Sequence, residues 1–149
     1  MWIVKIGGSW INNPNLSNLI KNLQRLSNKD NIIIVNGGGS FSDSVRLVYE
    51  NKRMSEKTGN YIALKATELF SHLLKEIDKN ICLVDDIESL RFSNKMLKIW
   101  LPSMILKNDS TFIKNWESTS DSVAAWLHSK INSLGLLYVK SLTLSLIHI

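Results

Sequence analysis

Two glycine-rich stretches, each placed directly behind a short apolar run, constrain this chain more than any other feature. Trp2-Ile3-Val4 leads into Lys5-Ile6-Gly7-Gly8-Ser9, and Ile32-Ile33-Ile34-Val35 leads into Asn36-Gly37-Gly38-Gly39-Ser40. Unbroken β-branched runs of this kind are typical of parallel strands covered on both faces. A strand that stops in bare glycines exposes backbone N–H groups, which can close around an oxyanion because no Cβ stands in the way. A helix that begins just after such a loop adds the positive end of its dipole. Two cradles of this design, with Lys5 inside the first, read as a site for moving a phosphoryl group.

The rest of the chain supplies a frame for those loops. Asn13 and Pro14 punctuate a helix start, and Leu16, Leu19, Ile20, Leu23 and Leu26 then share one face at helical spacing. Further helices are predicted from about 42 to 50 and from about 57 to 77, the second with Ile62, Leu64, Leu69, Leu73 and Leu74 available for packing. Ile81 to Val84 reads as a third strand. The stretch from Asp85 to Asn115 is hard to read, with one strand expected over Leu97–Leu101, ending at Pro102, and a short one over Met104–Leu106. Ser118 and Asp121 have capping-box-like spacing. They precede Val123, Leu127, Ile131 and Leu134 on one helix face, with Gly135 as the expected stop. Leu136 to Val139 is a further strand, ending in Lys140. Strands alternating with helices argue for a parallel α/β sheet with right-handed crossovers. In such sheets ligands bind beyond the carboxyl ends of the strands, where both glycine loops and Lys140 fall.

Composition excludes several classes. At 149 residues the chain is one domain or part of a larger one. A hydrophobic content of 44% is that of a globular protein rather than a disordered one. The net charge of +5 suits an anionic ligand or simply a lysine-rich solvated surface. No dense Lys/Arg block alternates with aromatics, so nucleic acid is not an expected partner. The single cysteine, Cys82, lies in an apolar run; it has no disulfide partner and no Cys/His metal spacing, and is expected to act as a small buried hydrophobe. The N-terminus has no signal-peptide pattern and no run reaches membrane-spanning length, so a cytoplasmic protein is expected. The apolar stretch Leu142–Ile149 would make an unprotected β edge and suggests a fragment or a non-native end.

VKIGGS at Val4–Ser9, NGGGSFSDSVR at Asn36–Arg46 and WESTSDSVAAWL at Trp116–Leu127 together resemble the amino acid kinase superfamily. Within it, GGGSFSDSVR and WESTSDSVAAWL are most similar to the small kinases of methanofuran biosynthesis, which convert an aminomethylfuran methyl phosphate to its diphosphate. The resemblance implies a three-layer α/β/α sandwich with a mainly parallel central sheet. It also implies an acceptor site on the N-terminal half and ATP, with Mg²⁺, largely on the C-terminal half. Residues 1–149 would then be a single truncated domain that holds the acceptor half and lacks most of the nucleotide half. Two departures stand out. Thr58-Gly59-Asn60 occupies a region where relatives often carry a histidine, and Leu142-Thr143-Leu144 replaces an aspartate–glycine turn.

By the same resemblance, Lys5 binds the transferring phosphoryl group and Asp121 organises the catalytic lysines, with Mg²⁺-bound water as one route. Gly7, Gly8, Ser9 and Lys140 face the ATP phosphates. Gly37, Gly38, Gly39, Arg46, Thr119 and Ser120 face the acceptor. No residue is assigned to hold a metal. Each residue also has an ordinary reading. Lys5 is a snorkelling strand-end lysine, the glycines allow tight turns, and Asp121, Thr119 and Ser120 serve a helix terminus. Arg46, Asp43 and Arg53 are surface helix residues in that reading, and Trp10, Trp116 and Trp126 are packing residues. His72 and His128 fall within helices, on polar or mixed faces. The leading expectation is ATP-dependent phosphoryl transfer to a small anionic acceptor, either a phosphate monoester or a carboxylate. Two alternatives stand beside it: a catalytically incomplete fragment that binds an anion or a partner chain, and a dinucleotide-binding module, for which Gly37-x-Gly39-x-x-Ser42 is only half a fingerprint. A homo-oligomer is compatible with all of these.

Overall fold

In the computed structural model, which describes residues 1–52 and 54–141, five strands form one parallel sheet: β1 (Trp2–Ile6), β2 (Ile32–Asn36), β3 (Cys82–Val84), β4 (Lys98–Trp100) and β5 (Gly135–Val139). Their order across the sheet is β3-β4-β2-β1-β5, and every pairing is parallel. The two glycine loops therefore leave neighbouring strands on the same edge. Ile6 is in register with Asn36 on one side and with Val139 on the other.

Strand alternation explains the layers. Ile3, Ile33 and Val35 point to one face, where they pack with Val123, Ala124, Leu127 and Ile131 of α6 (Ser120–Ile131). Leu90 of α4 (Ile87–Arg91) and Leu106 of α5 (Ser103–Asn108) complete that face. Val4, Ile6, Ile32 and Ile34 point to the other face. They meet Leu16, Ile20 and Leu23 of α1 (Leu16–Ser27) and Phe70 and Leu74 of α3 (Glu56–Ile77). Ile3, Ile6, Ile33 and Ile34 are wholly buried. The result is the expected three-layer α/β/α arrangement. Among the described residues, no helix is long and apolar enough to cross a membrane.

The structure corrects several local expectations. A 3₁₀ turn over Gly8–Asn12 separates β1 from α1, which starts at Leu16 rather than at Asn13–Pro14. The next helix, α2 (Gly39–Lys52), begins inside the glycine triplet. Leu26, Leu69 and Leu73 face outward rather than into the core, and Cys82 is half-buried rather than buried. Met104–Leu106 is not a strand but part of α5, whose start is fixed by Glu68: its Oε1 accepts the Ser103 N–H at 2.9 Å. Ser118 does not cap α6, because its hydroxyl turns back to the Ile113 carbonyl. Thr119 holds the cap position without a side-chain bond. The helix stops at Asn132, in the left-handed region at φ 50°, and not at Gly135. Gly135 opens β5 against the Trp2 ring, where a Cβ would come within 2.3 Å of Cζ3. Arg53 and Leu142–Ile149, including the expected apolar tail, lie outside the described residues.

Candidate active site

The two glycine loops abut. The Gly37 N–H donates to the Ile6 carbonyl at 2.8 Å, which ties the second loop to the root of the first. A Cβ on Gly37 would lie 2.5 Å from the Gly8 nitrogen, and one on Gly8 would lie 2.2 Å from the Gly39 nitrogen. Both contacts are backbone against backbone, so nothing larger than glycine fits. Gly39 also has φ 55°, in the region L-residues avoid. This turn lets α2 start at once after β2 and aims its first amides over the strand ends. Those amides have no intrahelical acceptor.

The amides divide into two groups, and this revises the expected roles of Gly7 and Gly37. The Gly7 N–H is already given to the Val139 carbonyl at 3.0 Å, extending the ladder to β5. Gly37 is committed to Ile6 in the same way. These two residues fasten the loops, while Gly8, Gly38 and Gly39 carry the amides at the helical starts. Gly7 has no steric need to be glycine: its φ is −64°, and an added Cβ would meet nothing closer than 3.6 Å. Ser9 lies on the loop surface, with its hydroxyl 2.6 Å from that of Ser141.

Beside the loops stands a charge trio. Lys5 shares the strand face of Ile3, which α6 covers, and Asp121 sits in the first turn of that helix. Lys5 Nζ is 2.8 Å from Asp121 Oδ1, and Lys140 Nζ, from the end of β5, is 3.7 Å from Oδ2. The Lys5 side chain is only 7% exposed, against 60% for Lys140. Partial burial pushes the Asp121 carboxyl up. Lys5 and then Lys140 outweigh that, and they hold it below the usual carboxylate range. The carboxylate thus pairs with two ammonium groups, one buried and one exposed, at the edge where the glycine amides converge.

Against the loops opens a cavity of about 510 Å³. Gly8, Ser9, Gly37, Gly38, Gly39, Arg46, Thr119 and Ser120 line it, so eight of the expected site residues share one space. Lys5, Gly7, Asp121 and Lys140 are not among its lining residues. Arg46 pairs with Asp43 at 2.9 Å on α2, both exposed at the mouth. Two residues with no expected binding role, Trp116 and Asn60, also line this cavity, and Tyr49 and Gly59 pack against Trp116. The Tyr49 and Trp116 rings stack at 3.9 Å with an interplanar angle of 5°. Gly59 lies under the pair, where a Cβ would come within 2.6 Å of Tyr49 Cδ2. Asn60, buried next to it, donates to the Asn115 carbonyl at 3.2 Å and so ties α3 to the segment that carries Trp116. Trp126, by contrast, packs on Trp100, and His72 is an exposed surface residue.

The family model described as "Amino acid kinase family" matches residues 1–140. The chain belongs to the amino acid kinase family. A [5-(aminomethyl)furan-3-yl]methyl phosphate kinase from Methanocaldococcus jannaschii is 32% identical over 130 residues, covering 85% of this chain and 59% of the relative. The crystal structure of uridylate kinase from Archaeoglobus fulgidus superposes with a TM-score of 0.67 at 17% identity, covering 92% of this chain and 62% of that one. That likeness concerns the fold. The amino acid kinase chain described here therefore spans about three-fifths of the length of both proteins.

Proposed function

We propose that residues 1–140 supply the acceptor side and the phosphoryl-transfer edge of an ATP-dependent kinase acting on a small phosphate monoester. The observation that carries this reading is the pair of abutting glycine loops flanked by the Lys5–Asp121–Lys140 trio. Phosphoryl transfer needs chiefly alignment and charge stabilisation. Free amides of Gly8, Gly38 and Gly39 and the ammonium of Lys5 can contact the oxygens of a migrating group from several sides.

The cradle fits a nucleotide's phosphates, since glycine at 8 and 37 lets the two loops abut backbone to backbone and so gathers the amides of Gly8, Gly38 and Gly39 at one place. Gly8, Ser9 and Lys140 would face the phosphates of ATP, with Gly7 as their anchor. When bound, ATP supplies the transferable phosphoryl group. A protein-held divalent ion fits less well: the described residues hold no cluster of three or more His, Cys, Asp or Glu side chains, and both Asp121 oxygens face lysines. Mg²⁺ would accompany the nucleotide phosphates.

The acceptor would occupy the 510 Å³ cavity. Arg46 suits a phosphate by bidentate bonding, Asp43 suits an ammonium arm, and Thr119 and Ser120 offer hydroxyls. Trp116, backed by Tyr49, gives a flat wall to a ring. An aminomethylfuran methyl phosphate combines all three features, and the curated relative is named for that compound. A phosphate oxygen is anionic already, so no general base is required.

The test is ADP release from ATP and Mg²⁺ with aminomethylfuran methyl phosphate as acceptor. Lys5→Ala should keep the fold and lose about 10²–10³ in turnover. Undiminished turnover would remove Lys5 from the transfer step, and turnover only with carboxylate acceptors would overturn the phosphate-monoester reading.

A further inference from the structure

A second cavity, of about 370 Å³, lies on the far side of Asn60 and Leu64, which border both spaces. Its walls come from the start of α3, the end of α5 and the segment that follows α5. It is lined by three lysines, Lys57, Lys107 and Lys114, together with Thr58 and Tyr61. Among the described residues, no carboxylate lines it. Among the described residues none of the three lysines forms an ion pair, whereas Lys5, Lys65, Lys79, Lys130 and Lys140 each have an acidic partner.

Two of the three ammonium groups are held in place by contacts. Lys107 Nζ lies 4.8 Å from the centre of the Tyr61 ring. Lys114 Nζ is anchored on the carbonyls of Asp109 and Phe112, the latter at 3.4 Å. Lys57 stands in the first turn of the 22-residue helix α3, where the dipole adds further positive potential. Like charges gathered around a concave space repel one another and raise the local concentration of anions. Lysine is a point-charge ligand for phosphate, and the volume falls in the range of small-ligand sites rather than of surface dimples.

We propose that this cavity is a second anion site, distinct from the acceptor cavity, that binds a small oligophosphate such as a diphosphate group. A diphosphate carries about three negative charges near neutral pH, given second phosphate ionisations near pH 6, and so matches the three unpaired lysines. Its occupation would draw α5 and the following segment onto α3. That segment leads through Asn115, held by Asn60, to Trp116 and the start of α6. The second site therefore adjoins the wall of the first through one buried asparagine. The proposal stands on the cavity and its charges, and does not need the kinase reading.

The test uses the wild-type chain and inorganic pyrophosphate. Lysine acetylation by limiting acetic anhydride, mapped by mass spectrometry, should show Lys57, Lys107 and Lys114 protected by pyrophosphate, with Lys21 and Lys29 labelled as before. Calorimetric titration should show a binding event that the Lys107→Ala/Lys114→Ala variant weakens by about tenfold or more, as loss of two charge-assisted contacts implies. Arg46→Gln should leave that event intact. Uniform protection of all lysines, or equal weakening in a Lys21→Ala/Lys29→Ala control, would mean diffuse charge attraction and would overturn the proposal. So would an event lost in Arg46→Gln and kept in the double variant. Should the double variant fail to fold, the protection pattern on the wild-type chain still decides.

Discussion

The neighbouring glycines of the first loop should respond in opposite ways to the same substitution. In Gly8→Ala the new Cβ would sit 2.2 Å from the Gly39 nitrogen and 2.6 Å from its Cα. Carbon needs about 3.5 Å, so the loops must part by about 1 Å, and the obstacle is backbone that no rotamer change can move. Overpacking of this kind costs about 1–3 kcal/mol. A displacement of about 1 Å in positioning groups can cost about 10²-fold in rate. In Gly7→Ala the nearest atom to the Cβ is the Val139 carbonyl oxygen at 3.6 Å, and φ is −64°, which alanine adopts freely. This variant should be as stable as the parent, or more stable by about 0.4–1 kcal/mol, because the unfolded chain loses freedom. Urea denaturation reads the stabilities, and ADP release with a phosphate acceptor reads transfer. If Gly8→Ala matched the parent in both, the abutment of the loops would not matter to the site. If Gly7→Ala fell as far as Gly8→Ala, Gly7 would be more than the anchor described here.

Other consequences are as direct. Asp121→Asn removes the shared counterion of Lys5 and Lys140 and should lower stability at neutral pH. The folded-state carboxyl lies below its unfolded value, so its contribution is present above about pH 4 and fades as pH falls through the folded value. Denaturation curves of parent and variant should therefore converge in acid; a gap that persists at pH 2 would point to packing instead. Gly59→Ala drives a Cβ toward Tyr49 and Trp116 and should weaken the stacked near-ultraviolet circular dichroism signal while raising the acceptor KM. An unchanged spectrum would show that the rings do not depend on this glycine. Arg46→Gln, at an exposed position, should leave stability within about 0.5 kcal/mol. It should raise the acceptor KM about 10–100-fold with kcat nearly kept, as loss of a charged hydrogen bond of about 1.5–3 kcal/mol implies; an unchanged KM would exclude Arg46 from acceptor binding.

The glycine loops and their place on one sheet edge were legible because each rests on a short-range rule. Apolar runs mark buried parallel strands, and strand ends in α/β sheets share an edge. The meeting of Lys5 with Asp121 was implied only by the family resemblance, because it joins residues far apart in the chain. The stack of Tyr49 on Trp116 was not legible, since it joins residues 67 positions apart through a missing side chain at Gly59. Asn60 stood in plain sight where a histidine was expected, yet only the fold reveals that its amide holds the Asn115 carbonyl. The short helix at Ser103–Asn108 was misread as a strand because its start is set by a distant carboxylate, Glu68, and not by a neighbour in sequence. The division of labour between Gly7 and Gly8 is equally invisible in the sequence, because it depends on which amide the Val139 carbonyl claims.

In the proposed transfer, the charges of Lys5, Lys140 and Asp121 would bear on rate. Two cations and one anion sum to a single positive charge, equal and opposite to that of a free PO₃⁻ unit in a loose transfer step. Two bare ammonium groups would instead grip a resting phosphate dianion and deepen the well from which the reaction must climb. One carboxylate on a helix end would thus trim the attraction to suit the fleeting species rather than the stable one.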